Sequence, residues 1–166
     1  MKRLKNKKII AFAFFYYLIF CLWILLFKMS LDLEAVGSVR LFNLIPFGLA
    51  GTFSTRMLIE DFIYNILAFI PFGIFIKSLR RDKSLKNNLL VGFLFSIFIE
   101  VSQYLLAVGV SDGTDLTANS LGALLGIFIY DLFSKKFSEK WVDKIIGEVL
   151  FPLGFLLSLL LIYYKI

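Results

Sequence analysis

The chain has 166 residues, 60% of them hydrophobic, with a mean hydropathy of +0.86. That lies far above a soluble domain, and several apolar runs approach the roughly 20 residues needed to cross a bilayer, so a single transmembrane domain over residues 1–166 is expected. The lone Cys21 excludes an internal disulfide, the absence of histidine excludes His-ligated metal sites and His general bases, and the net charge of +6 is explained below by topology rather than by nucleic acid.

Lys2, Arg3, Lys5, Lys7 and Lys8 open the chain, and an apolar run from Ile9 to Phe27 follows. The run is too long for the hydrophobic core of a signal peptide, and no small-residue cleavage site follows it. Leu18-Ile19-Phe20-Cys21 is not a lipid-attachment box, because Phe20 is too large for the position before the cysteine. Residues 9–27 are read as an uncleaved first span. Met29 to Leu58 is a long connection with Asp32, Glu34, Arg40 and Arg56. Within it Leu41 to Phe53 (LFNLIPFGLAGTF) is too short to span and contains a proline and two glycines, which suits an interfacial or re-entrant piece.

The second span is placed at about 59–76. It opens on Glu60 and Asp61, and Asn65 follows Asp61 by one helical turn. Pro71 and Gly73 interrupt it, and Ile70-Pro71-Phe72-Gly73 repeats Ile45-Pro46-Phe47-Gly48. A basic loop, 77–87, leads to a third span at about 88–108. A loop over 109–114 with Asp112 and no basic residue leads to a fourth at 115–133. A second basic loop, 134–144, leads to a fifth at 145–164, which ends on an interfacial anchor of Tyr163, Tyr164 and Lys165.

Alternate connections differ in charge. The N-terminus and the loops 77–87 and 134–144 hold five, five and four Lys and Arg; the connection 28–58 holds three over a much greater length, 109–114 none, and the C-terminal end one. The positive-inside rule then predicts an all-α bundle of about five transmembrane helices, N-terminus inside and C-terminus outside. The expected location is a cytoplasmic membrane, multi-pass. The basic charge flanks spans instead of forming a patch, so no nucleic acid is expected as a partner; the expected partner is the lipid bilayer.

Two spans carry polar stripes. Gly92, Ser96, Glu100 and Gln103 share one helical face, and so do Asp115, Asn119, Gly122 and Gly126. With 109–114 taken as a surface loop, Glu100 lies roughly 12 Å below the outer end of its span, and Asn65 and Asn119 each roughly 6 Å below theirs. These residues converge in the outer half of the membrane and suggest a polar pocket open to the exterior. Asn65 or Gln103 alone also fits interhelical hydrogen bonding worth about 1 kcal/mol or less, and Asp112 and Asp115 alone fit a loop and a helix N-cap. Glu100 is the hardest to explain as structure, because an ionisable residue within a span is a functional candidate.

The ordered set Asn65…Phe69-Ile70-Pro71-Phe72-Gly73, then Ile99-Glu100-x-x-Gln103, then Asp112-x-x-Asp115-x-x-x-Asn119-x-x-Gly122 resembles the VanZ-like family of bacterial membrane proteins, as does Arg40-Leu41-Phe42-Asn43-Leu44-Ile45-Pro46-Phe47. The resemblance covers about residues 40–130. It implies association with glycopeptide resistance, chiefly to teicoplanin, at the Gram-positive cell surface. It implies a site of Asn65, Glu100, Gln103, Asp112, Asp115 and Asn119. Two positions depart from the family's pattern: no Arg stands between Tyr104 and Ser111, and Thr114 occupies a position where a further acidic residue is frequent.

Three functions fit. The first is a protein that binds or shields a lipid-linked envelope component or a lipoglycopeptide. The second is a membrane enzyme acting on a lipid-linked wall precursor or lipid headgroup. In that case Glu100 is the catalytic acid or base, and Asp112 and Asp115 are candidate oxygen ligands for a divalent cation such as Mg²⁺ or Ca²⁺. No evident nucleophile and no Walker or zincin motif supports the enzyme. The third is an ion-coupled carrier, which would need acidic residues deep in the inner halves of spans two to four, where only Asp131, at the inner end of the fourth, is present.

Overall fold

The computed structural model describes residues 2–27, 39–43, 45–48 and 54–164. Asp32 and Glu34 in the long connection, residues 44 and 49–53 of the expected interfacial piece, and Lys165 of the expected anchor lie outside the described residues.

The architecture is all-α, with one short pair of strands. Helices α1 (Lys2–Phe27), α2 (Thr55–Leu79), α3 (Leu85–Leu106) and α4 (Gly113–Phe137) are each long and apolar enough to cross a membrane. A fifth helical run follows as α5 (Glu139–Ile145), a π-helical turn (Ile146–Leu150) and α6 (Phe151–Tyr164). The expected fifth span is thus helical but not uniform. Pro152 supplies no backbone N–H, and at the junction the Phe151 N–H donates to Ile146 O, the wider spacing of a π turn.

Local sequence sets the helix starts. Ser54 Oγ accepts from Met57 N at 3.3 Å and Ser84 Oγ from Asn87 N at 3.3 Å, so serine N-caps begin α2 and α3. Outward faces are apolar. Leu90, Leu94, Phe98, Val101 and Leu105 on α3, and Leu121, Leu125, Phe128 and Leu132 on α4, are exposed large hydrophobics. In water such stripes would be an aggregation hazard; in hydrocarbon they are the expected lipid face.

Helices α2 and α4 pack backbone to backbone. A Cβ at Gly122 would lie 2.8 Å from Phe69 Cβ and would strike Ile66 O, and a Cβ at Gly126 would strike Ile70 O. Small residues are what permit this approach. Around the seam Phe69, Phe72, Ile76, Ile99 and Ala123 form a core shared with α3, with Cys21 and Leu26 of α1 closing it.

At the end of the bundle that carries the basic loops, Asp143 of α5 is buried. It accepts from Ser78 Oγ at 2.7 Å and Tyr130 Oη at 3.1 Å, and it is paired with Arg81, which also reaches Glu139 at 2.7 Å. Lys77 pairs with Asp131 at 3.3 Å beside it. This network ties the ends of α2, α4 and α5 together.

At the other end, residues 109–114 do not form the expected surface loop. Ala107, in the left-handed conformation (φ 56°), ends α3 and turns the chain back. Val108–Asp112 then form strand β2, which pairs in parallel with strand β1 (Val39–Asn43), Val39 opposite Val108 and Asn43 opposite Asp112. Four residue steps of strand cover roughly 13 Å. The last eight of α3 cover roughly 12 Å. Strand β2 therefore retraces the final two turns of α3 and delivers Asp112 to the level of Glu100. Ser111 to Thr114 are buried, as irregular backbone at membrane depth requires.

Candidate functional site

The site is built where β2 meets the start of α4. The Asp112 N–H donates to Glu100 Oε2 at 2.9 Å, and the Ser111 hydroxyl lies beside the same carboxylate. The Asp112 side chain turns back to cap α4, its Oδ1 accepting from Thr114 N at 3.0 Å. The same Oδ1 accepts from Asn43 Nδ2 at 3.0 Å, which fastens the end of β1 to the end of β2.

One turn into α4, Asp115 faces α2. Asn65 lies beside its carboxylate, and Asp61, one turn before Asn65, is within electrostatic range of both Asp115 and Glu100. Four carboxylates, Asp61, Glu100, Asp112 and Asp115, thus come from α2, α3, β2 and α4 to one end of the bundle. Among the described residues no ion pair reaches Glu100, Asp112 or Asp115. Glu100 and Asp112 are no more than 9% exposed. A buried carboxylate held by backbone and amide donors can take a further donor or a cation in place of water.

Beneath the carboxylates, Asn119 Nδ2 donates to Ser96 Oγ at 2.8 Å. Asn119 therefore sits level with Ser96, one turn deeper than Glu100. The shallower depth expected for Asn119 rested on a surface loop at 109–114; because β2 descends along α3, α4 begins well below the outer end of α3. Gln103 points elsewhere. Its Nε2 donates to Leu25 O of α1 at 3.0 Å, so it ties α3 to α1 instead of joining the carboxylates. Asn119 Oδ1 and Gln103 Oε1 have no hydrogen-bond partner among the described residues.

The structure therefore brings together Asn65, Glu100, Asp112 and Asp115, places Asn119 one turn below them, and sends Gln103 to another helix. Sequence reasoning passed over Asn43, Ser96, Ser111, Thr114 and Asp61 as site members. Asn43 was visible only as part of the family-like segment 40–47. Thr114 accepts from Phe47 N at 2.8 Å through Oγ1. It thereby docks the turn Ile45–Gly48, which is closed by Gly48 N to Ile45 O at 2.8 Å and carries Phe47 at φ 59° against the Phe62 ring. For a divalent cation the donors are limited: among the described residues no group of three or more Asp, Glu, Cys or His side chains is placed to hold a metal ion.

A family model described as VanZ/LLP1 matches residues 14–134, reaching into α1 beyond the segment that carries the motifs. Protein VanZ of Enterococcus faecium is 30% identical over 151 residues, covering 90% of this chain and 88% of that protein. No solved structure matches the chain.

Proposed function

The chain belongs to the VanZ/LLP1 family, and we propose that it is a multi-pass protein of the bacterial cytoplasmic membrane whose carboxylate site opens to the exterior and engages a lipid-linked envelope component or a lipoglycopeptide. By that binding or shielding it contributes to glycopeptide resistance of the teicoplanin type.

One observation carries the reading. Glu100, Asp112 and Asp115 are gathered at the end of the bundle opposite the basic loops and are held by backbone, amide and hydroxyl donors. The positive-inside rule, applied to the loop charges, supports an outside position for that end. There it meets envelope precursors and drugs, and its clustered carboxyl oxygens suit a ligand bearing an ammonium group or several hydrogen-bond donors.

The test has two parts. In a Cys21→Ala background, Ile45→Cys should react with an impermeant thiol reagent added to whole cells, and Asp82→Cys only after permeabilisation. Expression in a susceptible Gram-positive host should raise the teicoplanin concentration needed to stop growth. Labelling with the reverse sidedness, or unchanged susceptibility at full membrane abundance, would refute the proposal.

A further inference from the structure

A cavity of about 390 Å³ lies on the face of α2 turned away from the carboxylates. Its walls come from α1, α2 and the broken fifth helix, with Phe20, Leu67, Pro71, Ile146 and Phe151 among them. Sequence explains why the helices part here. Pro71 has no N–H for the carbonyl of Leu67, and its ring pushes that turn aside. The π turn and Pro152 displace the facing helix. At Gly154 an added Cβ would meet nothing within 4 Å.

Such a space does not stay empty in a membrane. Apolar cavities exclude water, and an unfilled one forfeits dispersion contacts along its whole lining. An apolar cavity of roughly 150 Å³ takes one six-carbon ring, so this one holds on the order of sixteen carbons. That is one acyl chain.

Charge selects the lipid. On α1 the cavity wall starts at Ala13, five residues or roughly 8 Å from Lys8, and Lys7 and Lys8 are exposed. Ile9 Cγ2 lies 3.1 Å from the position of a Cβ on Gly147, so this basic start abuts the π turn. Lys144, two residues before Ile146, stands at the same end, 3.7 Å from Glu148. We propose that the cavity binds one acyl chain of an anionic phospholipid, with its phosphate held by Lys8 and Lys144. The proposal does not depend on the carboxylate site.

The experiment is native mass spectrometry of the full chain released from nanodiscs of equal phosphatidylglycerol and phosphatidylcholine. The wild type should retain one phosphatidylglycerol. Gly154→Phe fills the cavity from a position with open space, and displacing even two methylenes should lower retention about tenfold. Lys8→Ala with Lys144→Ala should keep a bound lipid but lose the preference for phosphatidylglycerol. Where Gly154→Phe is not monodisperse, Leu67→Trp, from an exposed position on the α2 wall, asks the same question. Retention unaffected by the filling variant, no lipid on the wild type, or equal retention of both lipids would overturn the proposal.

Discussion

Asp143 and Glu100 are both buried carboxylates, at opposite ends of one bundle, and they are held by opposite means. Asp143 has a guanidinium, a serine hydroxyl and a tyrosine hydroxyl around it. Glu100 has a backbone N–H and a serine hydroxyl, with three further carboxylates nearby. In the first arrangement the carboxylate's charge and hydrogen bonds are answered within the protein, although Arg81 Nε has no hydrogen-bond partner among the described residues. The second gathers several carboxyl groups among neutral donors, with no cation to answer Glu100, Asp112 or Asp115 among the described residues, and charging them together costs stability. A fold that needed only to close its ends would use the first arrangement twice.

The seam between the two ends is where a single change breaks both. Gly126→Leu would drive a side chain into Ile70 O, against backbone that cannot give way. The loss should exceed about 3 kcal/mol, past the usual cost of overpacking, and be visible as failure to accumulate in the membrane. Normal abundance would mean that α2 and α4 do not pack through their glycines.

At the closed end, Asp143→Ala leaves the Arg81 guanidinium, only 15% exposed, without its buried partner. Unfolding in a denaturing-detergent titration should show a loss of about 3 kcal/mol, with function restored once abundance is matched. A functional defect at matched abundance would erase the contrast between the ends.

Smaller effects sharpen the contrast at the carboxylate end. Thr114→Val removes the acceptor for Phe47 N and frees the turn 45–48. Asn43→Ala removes the donor that joins the strand ends at Asp112. Each should cost about 1 kcal/mol and weaken function more than Ser78→Ala, a loss of similar size at the closed end. Equal functional losses from all three would show that the two ends differ only in stability.

Much of this was legible in the residues, because long-range order in a membrane bundle is written in apolar length and in small-residue stripes. The four long helices, the Gly122 and Gly126 contact and the meeting of Asn65, Glu100 and Asp115 follow from those patterns. Strand β2 was not legible. Val108–Asp112 is five residues long and pairs with a segment 69 positions away, so no local period announces it. Missing it misplaced Asn119 by about two helical turns: expected one turn above Glu100, it lies one turn below, beside Ser96. Gln103 shared a stripe with Glu100, but three residues on it stands roughly 60° round the helix, enough to face α1. The tetrapeptide Ile-Pro-Phe-Gly makes the same point: at 45–48 it is a turn, and at 70–73 it lies within α2. Packing, not the tetrapeptide, decides between them.

Glu100→Gln tests the central claim most directly. Glutamine keeps the size and the acceptor for Asp112 N and removes only the charge. With membrane abundance matched to wild type, teicoplanin susceptibility of the expressing host should return to that of a host lacking the protein, while resistance to unfolding is unchanged or raised. Full protection by Glu100→Gln would contradict the account, because it would make the carboxylate cluster a structural feature and leave that end of the bundle without a function.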